Sequence, residues 1–366
     1  MKAVTAFSVK IDVEDAVADL KSQLSTCEPV MVLFFASPAY QPDRIAAAMA
    51  DAFPAAVTFG CTTAGEIVTG RMLAQSVVAL ALDSSSVRSV RVEVIQNLDA
   101  PSYDAFAAFE RHFNTPMADM DPARYVGLLL VDGLCRKEEL IVDRIGDLTN
   151  VNFIGGSAGD DLRFSATHVY ANGTSHAHAA VVALLEPVVP FSFLKTQSFT
   201  PLPPRLTVTR ANEAEREVVE FNHKPAVVAY AEALGVAVDE AAAHFLSNPV
   251  GLVFEDEPYV RSPQRIKDGS MVFYCAIKEG MELSLLQSTD IIADTRMALA
   301  AARAEYGEIS AIINFNCILR TLELRQKGLT EQYGNIFAGV PSIGFSTYGE
   351  QFIGHLNQTA TMLLLY

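Results

Sequence analysis

One arrangement recurs three times along this chain and constrains its fold more than any other feature: a buried-type strand, a polar turn, a helix, a second strand, and a loop of glycines and small polar residues. In the first copy the apolar run Pro29-Val30-Met31-Val32-Leu33-Phe34-Phe35 precedes a helix over 43–53. There Ile45, Met49 and Phe53 recur at helical spacing, and Pro54 stops the run. Val57-Thr58-Phe59 then enters Gly60-Cys61-Thr62-Thr63-Ala64-Gly65-Glu66. The second copy runs from the strand 126–131 through Asp132-Gly133, a helix over 137–148 and a strand over 151–154 to Gly155-Gly156-Ser157-Ala158-Gly159-Asp160-Asp161. The third begins at Ser310-Ala311-Ile312-Ile313-Asn314-Phe315. It passes through a helix holding Leu319, Leu322, Leu324 and Leu329, and ends at Gly344-Phe345-Ser346-Thr347-Tyr348-Gly349-Glu350. From strand end to glycine the separations are roughly 25, 24 and 29 residues, the scale of one strand–helix–strand unit.

Repetition at that scale predicts an α/β fold of repeated strand–helix–strand units in mixed sheets around a pseudo-symmetric core. Small residues after a buried strand let the backbone turn tightly or let another group approach, a geometry used at plain turns and at ligand sites alike. Because ligands in open sheets tend to lie beyond strand ends, Gly60, Cys61, Thr62, Gly156, Ser157 and Asp160 form one candidate ligand-binding set.

At 366 residues, two domains are expected, and the proline-rich stretch Thr200-Pro201-Leu202-Pro203-Pro204 with the strands after it marks the change between them. The division is placed at 1–220 and 221–366. In the second part, Pro225 opens a helix over 226–234 that Gly235 closes. Segments 251–254, 259–262 and 270–277 read as antiparallel strands, with Lys267-Asp268-Gly269 as one of their turns. Thr289 or Asp290 caps a helix over 291–306 that ends at Gly307.

A formal net charge of −16 disfavours nucleic acid and anionic membranes as partners. The five cysteines, Cys27, Cys61, Cys135, Cys275 and Cys317, are widely spaced with no CxxC pair, so they read as reduced thiols. The N-terminus reaches Asp12, Glu14 and Asp15 before any signal-type apolar core develops, and the apolar runs are too short to span a bilayer. A cytoplasmic protein is expected.

No hydrolase, nucleotide-loop or dinucleotide fingerprint appears in its proper context, which argues against an enzyme. His176 and His178 are spaced to share a strand face, but a third metal ligand is missing from sequence view. His355, Asn357 and Thr359 alternate onto one polar face of an otherwise apolar terminal segment. That face is either a solvated edge or the lining of a site. Cys317 and Arg320 follow a buried strand closely enough to face one cavity, either as packing or as a thiol beside a cation.

The segments Val32-Leu33-Phe34-Phe35, 60–66 and 155–161 resemble the N-terminal FIST domain of bacterial signal-transduction proteins, and the half from about Pro225, with Phe315-Asn316-Cys317-Ile318-Leu319-Arg320, resembles the C-terminal FIST domain. More narrowly, Val260-Arg261-Ser262, Phe273-Tyr274-Cys275-Ala276-Ile277, the stretch 344–351 and His355-Leu356-Asn357-Gln358-Thr359 are similar to the haem-binding, nitric-oxide-sensing branch of that family. The resemblance implies a sensor that binds haem b and nitric oxide and regulates a partner histidine kinase in a two-component system, often one controlling biofilm formation, with a homodimer as one option. It implies a cofactor set of His355, Arg261, Arg320, Cys317, Cys275, Tyr348 and Asn357. Within that set His355 would be the axial ligand to the iron, and Arg261 and Arg320 would face the propionates. The alternatives are a family member that senses a small metabolite such as an amino acid without haem and, more distantly, a thiol enzyme built on Cys317.

Overall fold

The computed structural model describes residues 3–102, 104–255, 257–352 and 354–366, the side chain of His355 excepted. They fall into two compact units. Residues up to Lys195 form the first together with Thr295–His355 and Ala360–Tyr366, and Thr196–Asp294 with Leu356–Thr359 form the second. The C-terminal strands therefore belong with the N-terminal ones, and most of the second unit, Thr196–Asp294, is an excursion of the chain ahead of the third repeat.

Each repeat contributes one parallel strand pair to the first unit: Pro29–Ala36 with Val57–Thr62, Val126–Val131 with Phe153–Ser157, and Ala311–Cys317 with Ser342–Thr347. Parallel neighbours need a crossover, and the helices Pro42–Ala52, Glu138–Leu148 and Ile318–Gln326 lie in the three connections. Every pair is the middle of a six-stranded sheet with the same order. Next to the first strand of each pair runs an antiparallel strand from the end of the same repeat: Val77–Asp83, Ala179–Pro187 or Thr359–Leu365.

The hairpin that follows each second strand leaves its own sheet for another. Glu66–Val68 and Arg71–Leu73 extend the third sheet, Val169–Ala171 and Thr174–His176 extend the first, and Glu350–Phe352 and His355–Leu356 extend the second. This cyclic exchange ties three otherwise separate sheets into one body. Their inner faces share a single core in which Leu33, Phe35, Leu128, Leu130, Ile313 and Phe315 are all buried. Phe35 packs its ring 4.5 Å from Phe345 and 6.4 Å from Phe315. Each such ring removed from water contributes about 1.5–3 kcal/mol.

The outer faces carry helices. Val32 and Phe34 meet Leu20, Ile45 and Met49, while Leu129 and Val131 meet Phe109, Ile141 and Ile145. Both faces of these strands are thus apolar, which explains their unbroken hydrophobic runs. The third sheet departs from this pattern: its strand register puts Asn314 where the first two have Phe34 and Leu129, and Asn316 where they have Ala36 and Val131.

The second unit is an antiparallel sheet with the helix Ala226–Leu234 against it, packed through Val208, Phe221, Tyr230, Phe273 and Leu285. Pro225 and Gly235, the latter left-handed at φ 75°, bound that helix as the sequence predicts. Asp268 and Gly269, at φ 49° and 86°, turn a two-residue hairpin between Pro263–Lys267 and Ser270–Phe273. The proline-rich stretch lies inside a strand, Phe199–Asn212. Its register against Glu282–Ser288 shifts between Pro201 and Arg205, so the prolines fall where the ladder is already broken.

Candidate functional site

The same backbone constraint places a glycine in all three repeats. Gly60, Gly155 and Gly344 occupy one register position, opposite Phe34, Leu129 and Asn314. A Cβ on them would sit 1.7, 1.7 and 2.2 Å from the carbonyl oxygens of those three residues. The glycines are required by close strand packing.

Beyond them the three loops join in a ring of main-chain hydrogen bonds. Ala64 N donates to Ser346 O at 3.1 Å, and Ser346 N to Gly65 O at 2.7 Å. Tyr348 N donates to Ser157 O at 3.1 Å and Ser157 N to Gly349 O at 2.8 Å. Gly159 N and Asp161 N close the ring on Thr62 O and Thr63 O at 3.0 and 3.2 Å. Counting six residues on from each crowded glycine gives an acidic residue every time: Glu66, Asp161 and Glu350.

At this ring lies an open cleft of about 410 Å³ lined by Ala64, Ala74, Gln75, Asp161, Leu162, Arg163 and Arg325, residues from all three repeats. Asp161 is half-buried. Burial pushes its carboxyl up, against Ser37 (Oγ donating at 3.3 Å), Arg163 and Arg325, while Asp160 adds to the rise. Glu66 is fully buried behind Ala64 and Gly65, and burial pushes its carboxyl to about 7 although Ser76 and Thr63 donate to it. One carboxylate and two guanidiniums around a cleft of this size suit a small molecule carrying both charges.

The wall bearing Asp161 is held in uncommon backbone. Asp161 and Leu162 have φ of 55° and 63°, and Gln75 across the cleft has 53°. Tyr348 over-determines this geometry: its phenol oxygen accepts from Leu162 N at 2.8 Å and Asp160 N at 3.2 Å and donates to the Asp160 carboxylate, while its ring stacks 5.1 Å from Phe164. Burial pushes the Asp160 carboxyl up, but Tyr348 and the amides of Ser165, Ala166 and Phe164 outweigh it and hold it below the ordinary range.

Of the residues singled out from the glycine loops, Thr62 and Ser157 belong to this ring, Gly60 and Gly156 lie in the strands before it, Asp160 braces the Asp161 wall through Tyr348, and none of these five lines the cleft. Ser157 Oγ donates to Glu138 at 3.1 Å and accepts from Gln351 Nε2 at 2.9 Å. Cys61 faces the core, where burial raises its thiol well above the ordinary value.

The residues expected around haem are divided between the units. Cys317, Arg320 and Tyr348 lie in the first, and Arg261, Cys275 and Asn357 in the second; the side chain of His355 lies outside the described residues. Arg320 is fully buried and spends its guanidinium inside the protein, with Nε donating to Asn316 Oδ1 and Nη2 to Thr295 Oγ1, both at 3.1 Å. Asn316 Oδ1 also accepts from Tyr333 at 3.0 Å. Cys317 and Cys275 are buried. Arg261 differs: Nη1 reaches Val260 O at 3.3 Å, while its buried Nε has no hydrogen-bond partner among the described residues. Among the described residues no imidazole or thiol lines the 410 Å³ cleft, so those residues do not fit haem.

His176 and His178 do not pair. The first meets Gln96 at 2.8 Å and the second Cys135 at 3.0 Å. Among the described residues, no group of three or more His, Cys, Asp or Glu is placed to hold a metal ion, and no helix is long and apolar enough to cross a membrane.

Asp161, Arg163, Arg325 and the buried Glu66 were not singled out in the sequence. Aligning the repeats on their glycines would have exposed the acidic position; Arg325, an ordinary helical arginine, carries no such signal. Comparison with curated proteins gave no match. Family models of the FIST N domain over residues 30–224 and the FIST C domain over residues 226–353 both match, and FIST domains are sensor domains of signal transduction. With the two models together covering most of its length, the chain belongs to the FIST family.

Proposed function

We propose that this chain is a cytoplasmic, non-catalytic sensor in which a bound small molecule biases the conformation presented to a partner signalling protein, such as a histidine kinase. The observation that carries the reading is the cleft at the loop ring, with Asp161 set among Arg163 and Arg325. The guanidiniums would take a carboxylate and Asp161 an ammonium group, so an amino acid or similar zwitterion is the ligand class. A ligand that binds only the folded state adds about 2.7 kcal/mol at a hundred times its Kd, so it raises Tm. A thermal-shift panel of amino acids and related zwitterions is expected to give at least one saturable shift, abolished in Arg325→Ala. A panel with no shift, or a shift that survives Arg325→Ala and Asp161→Asn, rejects this ligand site.

A second reading is haem b with nitric oxide as the signal, supported by the buried Arg261 Nε, which has no hydrogen-bond partner among the described residues and lies in a segment similar to the haem-binding branch. When bound, the haem iron would supply the site for nitric oxide. Arg261 would hold a propionate, and His355 is the ligand to the iron that the resemblance implies. Reconstitution with haem b is expected to give a Soret band that nitric oxide shifts and His355→Ala alters. Absence of the band, or an unchanged spectrum in that variant, leaves the metabolite reading standing alone.

A further inference from the structure

Away from the loop ring, one thiol of the first unit is coupled to an imidazole and a carboxylate in series. Cys135 follows the strand Val126–Val131 in a turn where its N–H donates to Asp132 O at 3.3 Å. Its Sγ lies 3.0 Å from His178 Nδ1, and His178 Nε2 lies 2.8 Å from Asp99 Oδ2. Lys137 Nζ sits 3.0 Å from the other oxygen of Asp99. Main chain holds the imidazole in place: His178 is left-handed at φ 52°, and its N–H donates to Asp132 Oδ2 at 2.6 Å. Asp132 is itself engaged by Thr167 Oγ1 and by Leu134 N at 3.0 Å.

This order of partners assigns the protons. Asp99 accepts from Nε2–H, which leaves Nδ1 of the neutral ring to accept from the thiol. Burial, Asp132, Glu138 and Asp99 push the thiol up to about 12, so at rest the sulfur keeps its proton. With Nδ1 as its acceptor at 3.0 Å, the thiol forms a thiolate here by proton transfer to that nitrogen. Exposure separates this thiol from the others as well: Cys27, Cys61, Cys275 and Cys317 are buried, and Cys135 is not.

We propose that Cys135 is a redox-responsive thiol whose reactant is a small hydroperoxide, with His178 as its base and Asp99 as the positioning residue that orients the imidazole. His178 Nδ1 takes the thiol proton as the sulfur electron pair attacks one peroxide oxygen. The S–O bond forms as the O–O bond breaks, and the departing oxygen recovers the proton from Nδ1. Sulfur loses two electrons and the peroxide gains them, leaving a sulfenic acid and water, or an alcohol from an organic peroxide. This gives the sensor an input separate from the cleft.

The test uses the full-length reduced protein, exposed to limiting hydrogen peroxide with dimedone as the trap and, separately, to iodoacetamide, with adducts assigned by mass spectrometry. Cys135 is expected to carry the first adduct with both reagents. His178→Gln should slow its modification about tenfold or more, the scale of a lost general base. Asp99→Asn should slow it several-fold; because this carboxylate is exposed, that variant keeps the test valid if His178→Gln does not fold. Adducts appearing first on another cysteine overturn the proposal. So does a Cys135 rate that is the same in the wild type and in every folded variant of the pair, since exposure alone would then account for labelling.

Discussion

Gly60→Ala is expected to be among the most damaging single-methyl substitutions in this chain. The new Cβ would stand 1.7 Å from Phe34 O, inside the contact between two parallel strands buried on both faces. Neither side can give: the obstructing atom is backbone, and Phe34 is packed into the helix layer. The strands must separate, so a loss of at least about 3 kcal/mol is expected, at the severe end of overpacking effects. Gly155→Ala should behave alike, because its Cβ would also meet a carbonyl at 1.7 Å. Gly146→Ala gives the opposite sign. That glycine is exposed within the helix Glu138–Leu148 with nothing near its Cβ, so alanine should stabilise by up to about 1 kcal/mol. Urea denaturation of the three variants decides the matter, and a Gly60→Ala protein as stable as wild type would refute the packing argument.

Glu66→Gln is expected to stabilise the protein at pH 8 and to change little at pH 4. The buried carboxyl titrates at about 7 when folded, against an ordinary value of 4.5. Below 4.5 it is protonated in both states and contributes nothing to the pH dependence. As the pH rises from 4.5 towards 7 the unfolded chain releases its proton while the folded one keeps it, so stability falls; above 7 the whole penalty is present. The gap corresponds to about 3 kcal/mol. Glutamine removes the charge, and its amide can donate to Thr63 Oγ1 while its oxygen still accepts from Ser76. Thermal melts at pH 4 and pH 8 should show a gain in Tm confined to the higher pH. An equal shift at both would mean that the ionisation of Glu66 does not limit stability.

Much of the candidate site was legible as place and little of it as chemistry. The three strand ends and their loops were readable because strands buried on both faces leave unbroken apolar runs and the chain repeats them at one spacing. What the loops do was not. The glycines, open to either a turn or a ligand reading, turned out to relieve a clash with a neighbouring carbonyl. The small polar residues after them close a main-chain ring, and the charged side chains at the cleft come from positions that look ordinary in sequence: Asp161 beside Asp160, and Arg325 on a helix. Arg320 shows the same limit from the other side. Its spacing from Cys317 suggested a cavity-facing cation, and it is instead buried against Asn316 and Thr295.

The sequence by itself determined the repeated strand–helix–strand units, the helix ends at Pro225 and Gly235, and the resemblance of both halves to FIST domains, because these depend on local periodicity, backbone restriction and contiguous motifs. Only the tertiary structure decided that three repeats exchange their hairpins in a cycle, that the segment from Thr295 rejoins the N-terminal strands, and that Asp161, Arg163 and Arg325 share one cleft while Cys135 meets His178 and Asp99. Those outcomes depend on which strand edges pair over long separations in the chain, and such pairings are selected by the packing of the whole core, which no single stretch of residues encodes.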